Sequence, residues 1–369
     1  MASDTNPGQP DDPLRGVPLL QTDLISDGSV PAANTDPHLI NPWGISFSAA
    51  GPFWISDAGT GVTTIYNGDG VPFPVAGQLA IAIGTPEGAT FPAIPTGQVF
   101  NGGTGGFVVG EGAASASSAF LFATVTGTIS GWSPAVDVAH SIVAVDDSAS
   151  HASYTGLAIA ATDAGKRLYA ADFHNGEVAV FDADFHKLAP IADPSLPDGY
   201  APFNVQVLAG HLFVAFAQQD PATGRDLPGA GHGYVDEFAL DGTLLRHIAA
   251  NGPLDSPWGL ALAPGGGFGP IEGDLLVGNF GDGTVSVFDR NTDAFLGKLS
   301  DADGNAIQND FLWALAVGNG GNAGKADQLY FTAGIGGEEH GLFGSLSIDW
   351  NALAAHVQAN FAATGQWFV

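Results

Sequence analysis

The sequence predicts an all-β fold, a single six-bladed β-propeller, from three observations. Glycine and proline number 53 and 24 among 369 residues, an abundance typical of many short strands joined by turns. A triplet resembling Pro-Trp-Gly recurs six times, and each copy is followed by alternating, aromatic-rich segments that favour strands. The copies end at Gly44, Gly97, Gly156, Asn204, Gly259 and Ala314, with spacings of 53, 59, 48, 55 and 55 residues. This period suits a four-stranded blade rather than a helical repeat.

Each copy orders its predicted strands in the same way. The triplet opens a short first strand, such as residues 45–47, and an apolar second strand follows, such as residues 53–56. A glycine-containing turn leads to a third strand, such as residues 62–66, and a further turn leads to a fourth, such as residues 244–248. Because a propeller grows by adding blades around one axis, residues 17–350 form one domain in this interpretation.

The last copy lacks a clear fourth strand after residues 344–348. A strand-like segment, residues 18–26, stands unassigned before the first blade, and we expect it to supply the missing outer strand and close the ring. Residues 1–16 are polar and rich in proline, which predicts a flexible N-terminal segment. Residues 351–369 form a C-terminal extension, for which a short helix, a crossing strand and an oligomer contact all remain open.

The net charge of the chain limits the classes of partner that it can bind. Nine Lys and Arg residues stand against 38 Asp and Glu residues, which gives a net charge of −29. A polyanion is repelled by nucleic acid and by anionic membranes. The acidic residues predict a solvated surface, with Ca²⁺ binding by some carboxylates as the alternative.

The absence of cysteine excludes disulfides and thiolate catalysis. The sequence contains no run of about 20 apolar residues, so it predicts no membrane span. The first residues lack signal-peptide features, and the composition favours an exported bacterial protein whose signal is absent from this sequence, with a cytoplasmic protein as the alternative.

Several stretches resemble the NHL and SMP-30-like propeller superfamily, and more closely a family of uncharacterised bacterial six-bladed propellers that are often exported. The matching stretches are NPWGI (41–45), FHNG (173–176), SPWGLALAP (256–264), GNFGDG (278–283) and EEHGLFG (338–344). The resemblance spans most of residues 17–348 and implies the fold, but it implies no established activity. Superfamily relatives include lactonases, esterases and lyases that use Ca²⁺ or Zn²⁺, which is an analogy of fold only. Some members of the closer family carry a C-terminal sorting signal, which is not recognisable here.

The turns between second and third strands share one face of a propeller with the connections into the first strands, and we expect ligands to bind there. Asp57, Asp172 and Asn279 occupy equivalent positions in these turns. One interpretation is that each side chain accepts hydrogen bonds from its own turn. The other is that they converge on a Ca²⁺ ion or a substrate, or that a carboxylate acts as a general base.

Three histidines lie in loops of the same face. His174 stands where other blades carry glycine, and His232 and His340 end the long insertions of the fourth and sixth blades. With Glu339 or Asp172 they are candidate ligands of Zn²⁺ or candidate general acids and bases. The alternative is that they hydrogen-bond loop carbonyl groups. His186, His211 and His247 fall on outer strands or opposite turns, where we expect structural roles.

Three tryptophans occupy one repeat position, and the interpretations are packing between blades or an aromatic floor for a ligand. They are Trp43, Trp258 and Trp313. Arg225, in the insertion of the fourth blade, either anchors an anionic group of a substrate or pairs with a neighbouring acid.

These residues support two functional hypotheses. The first is a metal-assisted hydrolase or lyase acting on a small molecule at the central channel, with His174, His340, Asp172 and Glu339 as catalytic residues. Its substrate would contact the three tryptophans and Arg225. Its divalent metal, Ca²⁺ or Zn²⁺, would be held by His174, His340, His232, Asp57, Asp172 and Asn279.

The second hypothesis is a non-catalytic exported scaffold that binds a small molecule, a carbohydrate or a partner through the two long loops. No organic cofactor is evident. The first hypothesis requires histidine and carboxylate side chains that converge, whereas the second allows them to pair within their own loops.

Overall fold

The computed structural model describes Leu14 and residues 17–364, and these residues form the predicted all-β propeller of six blades. The segment predicted to be flexible, residues 1–16, lies outside the described residues except for Leu14. The chain enters through β1 (Leu19–Ser26) and β2 (Asn34–Thr35). Blade 1 consists of β3 (Pro42–Ser46), β4 (Phe53–Asp57), β5 (Val62–Tyr66) and β6 (Ala80–Ala82). All strands within a blade pair antiparallel with their neighbours.

Blades 2 and 3 each depart from the simple pattern. Blade 2 consists of β7 (Pro95–Phe100), β10 (Phe120–Thr124), β11 (Thr128–Trp132) and β12 (Ile142–Asp146), and the hairpin of β8 (Val108–Glu111) and β9 (Ala114–Ser117) is inserted after its first strand. Blade 3 consists of β13 (Tyr154–Thr162), β14 (Gly165–Asp172) and β15 (Glu177–Asp182). Isolated bridges from Ile191 to Val178 and from Lys187 to Phe181 take the place of its fourth strand.

Blades 4 to 6 follow the predicted order. Blade 4 consists of β16 (Tyr200–Leu208), β17 (His211–Gln218), β18 (Gly233–Phe238) and β19 (Leu244–Ala250). Blade 5 consists of β20 (Pro257–Leu262), β21 (Leu275–Asn279), β22 (Val285–Phe288) and β23 (Phe295–Lys298). The sixth blade contains β24 (Leu312–Val317), β25 (Leu329–Ala333) and β26 (Leu342–Ile348). Two 3₁₀ turns, Ser148–Ser150 and Gly269–Ile271, lie in the connections.

The N-terminal strand completes the sixth blade, as the sequence predicts. β1 pairs antiparallel with β26 from Leu19 opposite Ile348 to Ser26 opposite Leu342. Ile25 of β1 is fully buried in a cluster that also contains Phe53 of blade 1 and Phe343 of blade 6. The closing strand therefore covers the open edge of the last blade and packs against the first blade as well.

Small residues at the end of each triplet allow the first strands to approach one another around the axis. A Cβ atom added at Gly44 would lie 2.5 Å from the carbonyl oxygen of Thr96, and one at Gly97 would lie 2.2 Å from the backbone nitrogen of Leu157. Blade 4 carries Asn204 instead, and its amide donates a 2.7 Å hydrogen bond to the carbonyl oxygen of Trp258. The recurring triplet thus marks the contact between neighbouring blades.

The C-terminal extension begins as a helix, α1 (Trp350–Thr364). The Asp349 carboxylate accepts hydrogen bonds from the backbone nitrogens of Asn351 and Ala352, both of 3.0 Å, which caps the helix. Leu353 packs against the core between blades 5 and 6. Between the helix and the crossing strand that the sequence left open, the structure has the helix. Within the described residues, no helix is long and apolar enough to cross a membrane.

Candidate functional site

An aromatic layer closes one end of the central channel. This end is the upper face, formed by the turns between second and third strands and by the connections into the first strands. The layer consists of Trp43, Phe203, Trp258, Phe280 and Trp313, all of them buried. Trp43 stacks on Trp313 with ring centroids 3.4 Å apart, and Trp258 meets Trp43 edge-on at 6.1 Å. The three predicted substrate-binding tryptophans therefore lie together and pack on one another, and ligand contact by them stays a prediction.

The two long insertions meet beside this layer. Arg225 of the blade 4 loop pairs with Glu338 of the blade 6 loop. The amide nitrogen of Asn41 donates to Glu338 at 3.4 Å, and the amide oxygen of Asn41 accepts a 2.9 Å hydrogen bond from the indole nitrogen of Trp313. A continuous chain of polar contacts therefore runs from blade 4 across blade 6 to the aromatic layer. Of the two interpretations of Arg225, the structure shows the one in which this residue pairs with a neighbouring acid.

Sequence reasoning missed Glu338 and selected the adjacent Glu339, which is exposed. The backbone of Glu338 lies in the left-handed region with φ of 68°, and its side chain is only 13% exposed. Asn41 is also left-handed, with φ of 47°. The sequence carries a weak signal for this pair, because Asn41 directly precedes the first triplet and Glu338 lies in a glycine-rich insertion.

Asp226, next to Arg225, is one of the upper-face carboxyl groups with a raised pKa. Burial raises the pKa of Asp226 to about 6, and the charge of Glu338 adds to this effect, whereas the guanidinium group of Arg225 opposes it. The Ser256 side chain lies beside the buried Oδ2 atom of Asp226 and also opposes the rise. Asp226 therefore changes its charge closer to neutral pH than an ordinary aspartate does.

The three equivalent turn residues bond within their own blades. Asp172 accepts hydrogen bonds from the backbone nitrogens of Ser153 at 3.0 Å and Asn175 at 3.2 Å. Asn279 accepts one from the backbone nitrogen of Asp255 at 3.0 Å. These bonds attach the second-to-third turn to the connection that enters the same blade.

Asp57 is buried in the same position of blade 1. Its Oδ2 atom accepts a 2.7 Å hydrogen bond from the Thr64 hydroxyl, and its Oδ1 atom has no partner among the described residues. Burial raises the pKa of the Asp57 carboxyl well above its usual value. The role of these residues as metal ligands stays a prediction.

The predicted histidines lie apart in different loops. His174 is exposed, and its ring centroid is 5.9 Å from that of His151 on the neighbouring connection. His340 pairs with Asp27 at 2.7 Å, and a ring nitrogen of His232 lies 2.9 Å from the carbonyl oxygen of Leu227 in its own loop.

Metal-like geometry occurs elsewhere in the described part of the chain. Two groups of three His, Asp or Glu residues there have ligand atoms within 4.8 Å of one another: Asp182, Asp184 and His186, and Asp193, Asp236 and His247. None of the predicted ligands belongs to either group. A metal centre formed by the predicted set therefore stays a prediction.

The central channel contains a cavity of about 610 Å³ below the aromatic layer. Its upper wall includes the small triplet residues Gly44 and Gly97, and its lower wall is formed by the ends of the first strands and the residues that follow them. Side chains at that lower end include Phe47, Phe100, Leu208, Leu262 and Val317. Phe100 is 37% exposed. Because the upper end is closed, this axial cavity opens on the lower face, where the first and second strands are connected.

Four polar side chains line the axial cavity: Ser46, Gln98, Asn204 and Gln206. The Gln98 amide donates to the carbonyl oxygens of Gly44 at 2.9 Å and Trp54 at 2.6 Å, so its donors are already used to join blades. Ser46 Oγ is buried without a partner among the described residues. No charged side chain belongs to the described lining. The cavity therefore offers mainly apolar surface, with the side-chain amide of Gln206 as a polar group that makes no hydrogen bond among the described residues.

No protein-family model matches the chain. The uncharacterized protein R648 of Acanthamoeba polyphaga mimivirus is 33% identical over 338 residues, which cover 88% of this chain and 79% of the viral protein. The uncharacterized protein L690 of the same virus is 33% identical over 350 residues, covering 91% of this chain and 88% of its own length. The chain belongs to the family of R648 and L690. The members found are viral, so the comparisons lend no support to the bacterial part of the expectation.

Solved structures are more distant from this member of the R648 and L690 family. The streptogramin B lyase structure has a TM-score of 0.47 at 11% identity and covers 90% of this chain and 97% of its own. Hydrazine synthase of Kuenenia stuttgartiensis has a TM-score of 0.46 at 13% identity and covers 79% of this chain and 74% of its own. At these values the neighbours assign no function to the site.

Proposed function

We propose that the protein is a non-catalytic binding propeller whose axial cavity receives an apolar group of a small molecule. The observation that carries the proposal is the 610 Å³ cavity with its opening on the lower face. Pockets for small ligands commonly measure about 300–1,000 Å³ and are mainly apolar with a few polar groups that fix orientation. The side-chain amide of Gln206, which belongs to the lining, is the candidate for that orienting contact.

The chemistry of the lining supports a neutral ligand. The net charge of −29 disfavours anions, and the described lining offers no charged side chain to pair with an ion. Aromatic and branched aliphatic side chains at the mouth favour an aromatic or aliphatic group over a carbohydrate. The axial cavity is lined by the first strands of the blades, so binding needs little rearrangement of the protein and the entropic cost of association is small. Export of the protein stays part of this proposal as the sequence-based expectation.

The test uses N-phenyl-1-naphthylamine, a neutral apolar fluorophore, titrated into the purified full chain. We expect saturable 1:1 binding with enhanced fluorescence. Gly265 lines the mouth, and a Cβ atom there meets nothing within 4 Å. Gly265→Trp should therefore block the cavity and weaken binding at least about tenfold, which corresponds to about 1.4 kcal/mol.

Two further variants make the result decisive. Val317→Trp should have the same effect from the end of β24, which covers the case in which one variant fails to fold. Ala222→Trp places the same side chain in an exposed upper-face loop and should leave binding unchanged. Unsaturable binding to the wild-type protein, or equal affinity in the folded cavity variants and the Ala222→Trp control, would refute the proposal.

The metal-assisted hydrolase or lyase of the first hypothesis remains a second candidate because of one observation. The rings of His174 and His151 meet edge-on on the upper face with centroids 5.9 Å apart, and Asp172 belongs to the same turn as His174. In this alternative the two imidazoles share a divalent cation or move a proton. Elemental composition of the dialysed protein tests it, since a metal lost in His174→Ala but retained in His186→Ala would favour this candidate and no loss would eliminate it.

A further inference from the structure

Three polar side chains come together between blades 3 and 4, away from the axis. Asp193 lies in the connection that leaves blade 3, Asp236 lies on β18 and His247 lies on β19 directly opposite it. A ring nitrogen of His247, Nδ1, is 2.8 Å from Asp236 Oδ1 and 3.5 Å from Asp193 Oδ2. One carboxylate oxygen or ring nitrogen from each residue lies within 4.8 Å of the other two. This is the inter-blade cluster.

Both carboxylates of the inter-blade cluster are buried and only partly satisfied. Neither the Asp193 nor the Asp236 side chain has any exposed area. The Oδ2 atom of each is buried and has no hydrogen-bond donor among the described residues. Two buried carboxylate oxygens that face the same small space repel one another, so the arrangement is stable only with a shared proton or a cation between them.

We propose that Asp193, Asp236 and His247 bind one divalent transition-metal ion of the Zn²⁺ type. Two carboxylate oxygens and one imidazole nitrogen form a mixed oxygen and nitrogen donor set, which suits Zn²⁺ better than Ca²⁺, an ion that takes oxygen ligands in larger number. Ligand atoms around a tetrahedral Zn²⁺ ion with bonds of about 2.0–2.1 Å lie about 3.3 Å apart. The 3.5 Å separation of His247 Nδ1 from Asp193 Oδ2 is close to that value, and the ion would replace the direct 2.8 Å hydrogen bond between His247 Nδ1 and Asp236 Oδ1.

Ser195 orients two of the three ligands. Its backbone nitrogen and hydroxyl group donate to Asp193 Oδ1 at 2.8 and 2.7 Å, which leaves Oδ2 of Asp193 turned toward the cluster. The same hydroxyl lies 3.3 Å from His247 Nε2, the ring nitrogen that is not needed by the metal. Outer partners of this kind fix the ring of a ligating histidine.

The bound ion would attach the connection between blades 3 and 4 to the outer strands of blade 4. Blade 3 lacks a regular fourth strand, so its outer edge is held by two isolated bridges only, as far as the described residues show. His247 is half exposed, so one coordination position of the ion faces water and the ion exchanges with solvent. This site is independent of the axial cavity, and either proposal stands without the other.

The test is calorimetric titration of Zn²⁺ into the chelator-treated full chain. We expect one strong site. Loss of an outer partner alone costs about 10–100-fold in metal affinity, so Ser195→Ala should fall within that range and Asp236→Asn or His247→Gln should exceed it. Substitution with Co²⁺ provides a second readout, because tetrahedral coordination produces a visible spectrum that His247→Gln should abolish.

The second group of three residues is a matched control. Asp182, Asp184 and His186 have the same composition, but the His186 side chain is 75% exposed and Asp182 Oδ1 already accepts the backbone nitrogens of Asp184 and His186, both at 2.9 Å. A double variant, Asp182→Asn with His186→Gln, should retain the strong site. If wild-type protein takes up no Zn²⁺, or if folded Asp236→Asn and the control double variant bind it equally well, the assignment is wrong.

Discussion

Gly97→Ala tests why the triplet ends in a small residue. The added methyl group would lie 2.2 Å from the backbone nitrogen of Leu157, 2.7 Å from the carbonyl carbon of Gly156 and 2.8 Å from the Leu157 Cβ atom. The two nearest atoms belong to the backbone of the adjacent first strand, so rotation of a side chain cannot relieve the clash. Neighbouring blades must move apart at the axis, where every first strand contacts the next.

The magnitude follows from the cost of overpacking. Inserting a methyl group into a well-packed interior destabilises a protein by about 1–3 kcal/mol. Gly265→Ala is the matched control, because its Cβ atom meets nothing within 4 Å and its φ lies outside the left-handed region. A substitution of that kind stabilises by about 0.4–1 kcal/mol through the unfolded chain. The two variants should therefore differ by about 1.5–4 kcal/mol in the free energy of unfolding.

Urea denaturation followed by tryptophan fluorescence and by circular dichroism measures this difference. The midpoint should fall in Gly97→Ala and stay or rise in Gly265→Ala. Coinciding transitions for the two probes would show that the blades unfold together, which the comparison requires. Free energies of unfolding for the two variants that agree within about 0.5 kcal/mol, the usual scale of a surface substitution, would refute the explanation of the triplet.

Two further variants probe the closing strand and the upper face. Ile25→Ala should lower the free energy of unfolding by about 2–5 kcal/mol because the Ile25 side chain is fully buried. Leu20→Ala on the same strand should change stability little, because the Leu20 side chain is 52% exposed. Equal urea midpoints for the two variants would contradict a stabilising role for the closing strand. The pKa of Asp226 is about 6 in the folded protein and about 3.9 in an unfolded chain. The native state therefore binds more protons than the unfolded state between about pH 4 and 6. The free energy of unfolding falls as pH rises through that window, by about 3 kcal/mol at most. Asp226→Asn should remove that fall in stability while leaving the groups that face it, Arg225 and Glu338, in place. If the urea midpoint of this variant depends on pH as in the wild-type protein, Asp226 is not the source of the pH dependence.

The fold was predictable because the packing requirement repeats. Five of the six blades carry a glycine or alanine where first strands meet, so a similar triplet recurs, and blade 4 has Asn204 there instead. The missing outer strand of blade 6 pointed to β1. Departures from the repeat were not predictable in the same way. The hairpin of β8 and β9 and the irregular edge of blade 3 occur once each, and no periodic signal marks them.

The candidate site was predictable only in part, since its geometry depends on side chains from distant parts of the chain. The sequence placed Arg225 and the blade 6 insertion on one face, but the choice of Glu338 over Glu339 depends on a left-handed backbone at residue 338. The axial cavity has no sequence motif, because it is the space left by six first strands. Asp193, Asp236 and His247 come from three separate elements, and the sequence-based interpretation gave His247 a structural role.

Hydrogen-bond use separates the two ends of the channel. On the upper face Asp172 and Asn279 bond to loop backbone, His340 pairs with Asp27 and Glu338 pairs with Arg225. A group so occupied must break those contacts before it binds a ligand. At the lower end the exposed apolar surface has no such partner to lose. Binding there removes apolar surface from water without an opposing loss of protein hydrogen bonds. The cavity variants and the inter-blade variants lie in different parts of the propeller, so failure of one proposal leaves the other open to its own measurement.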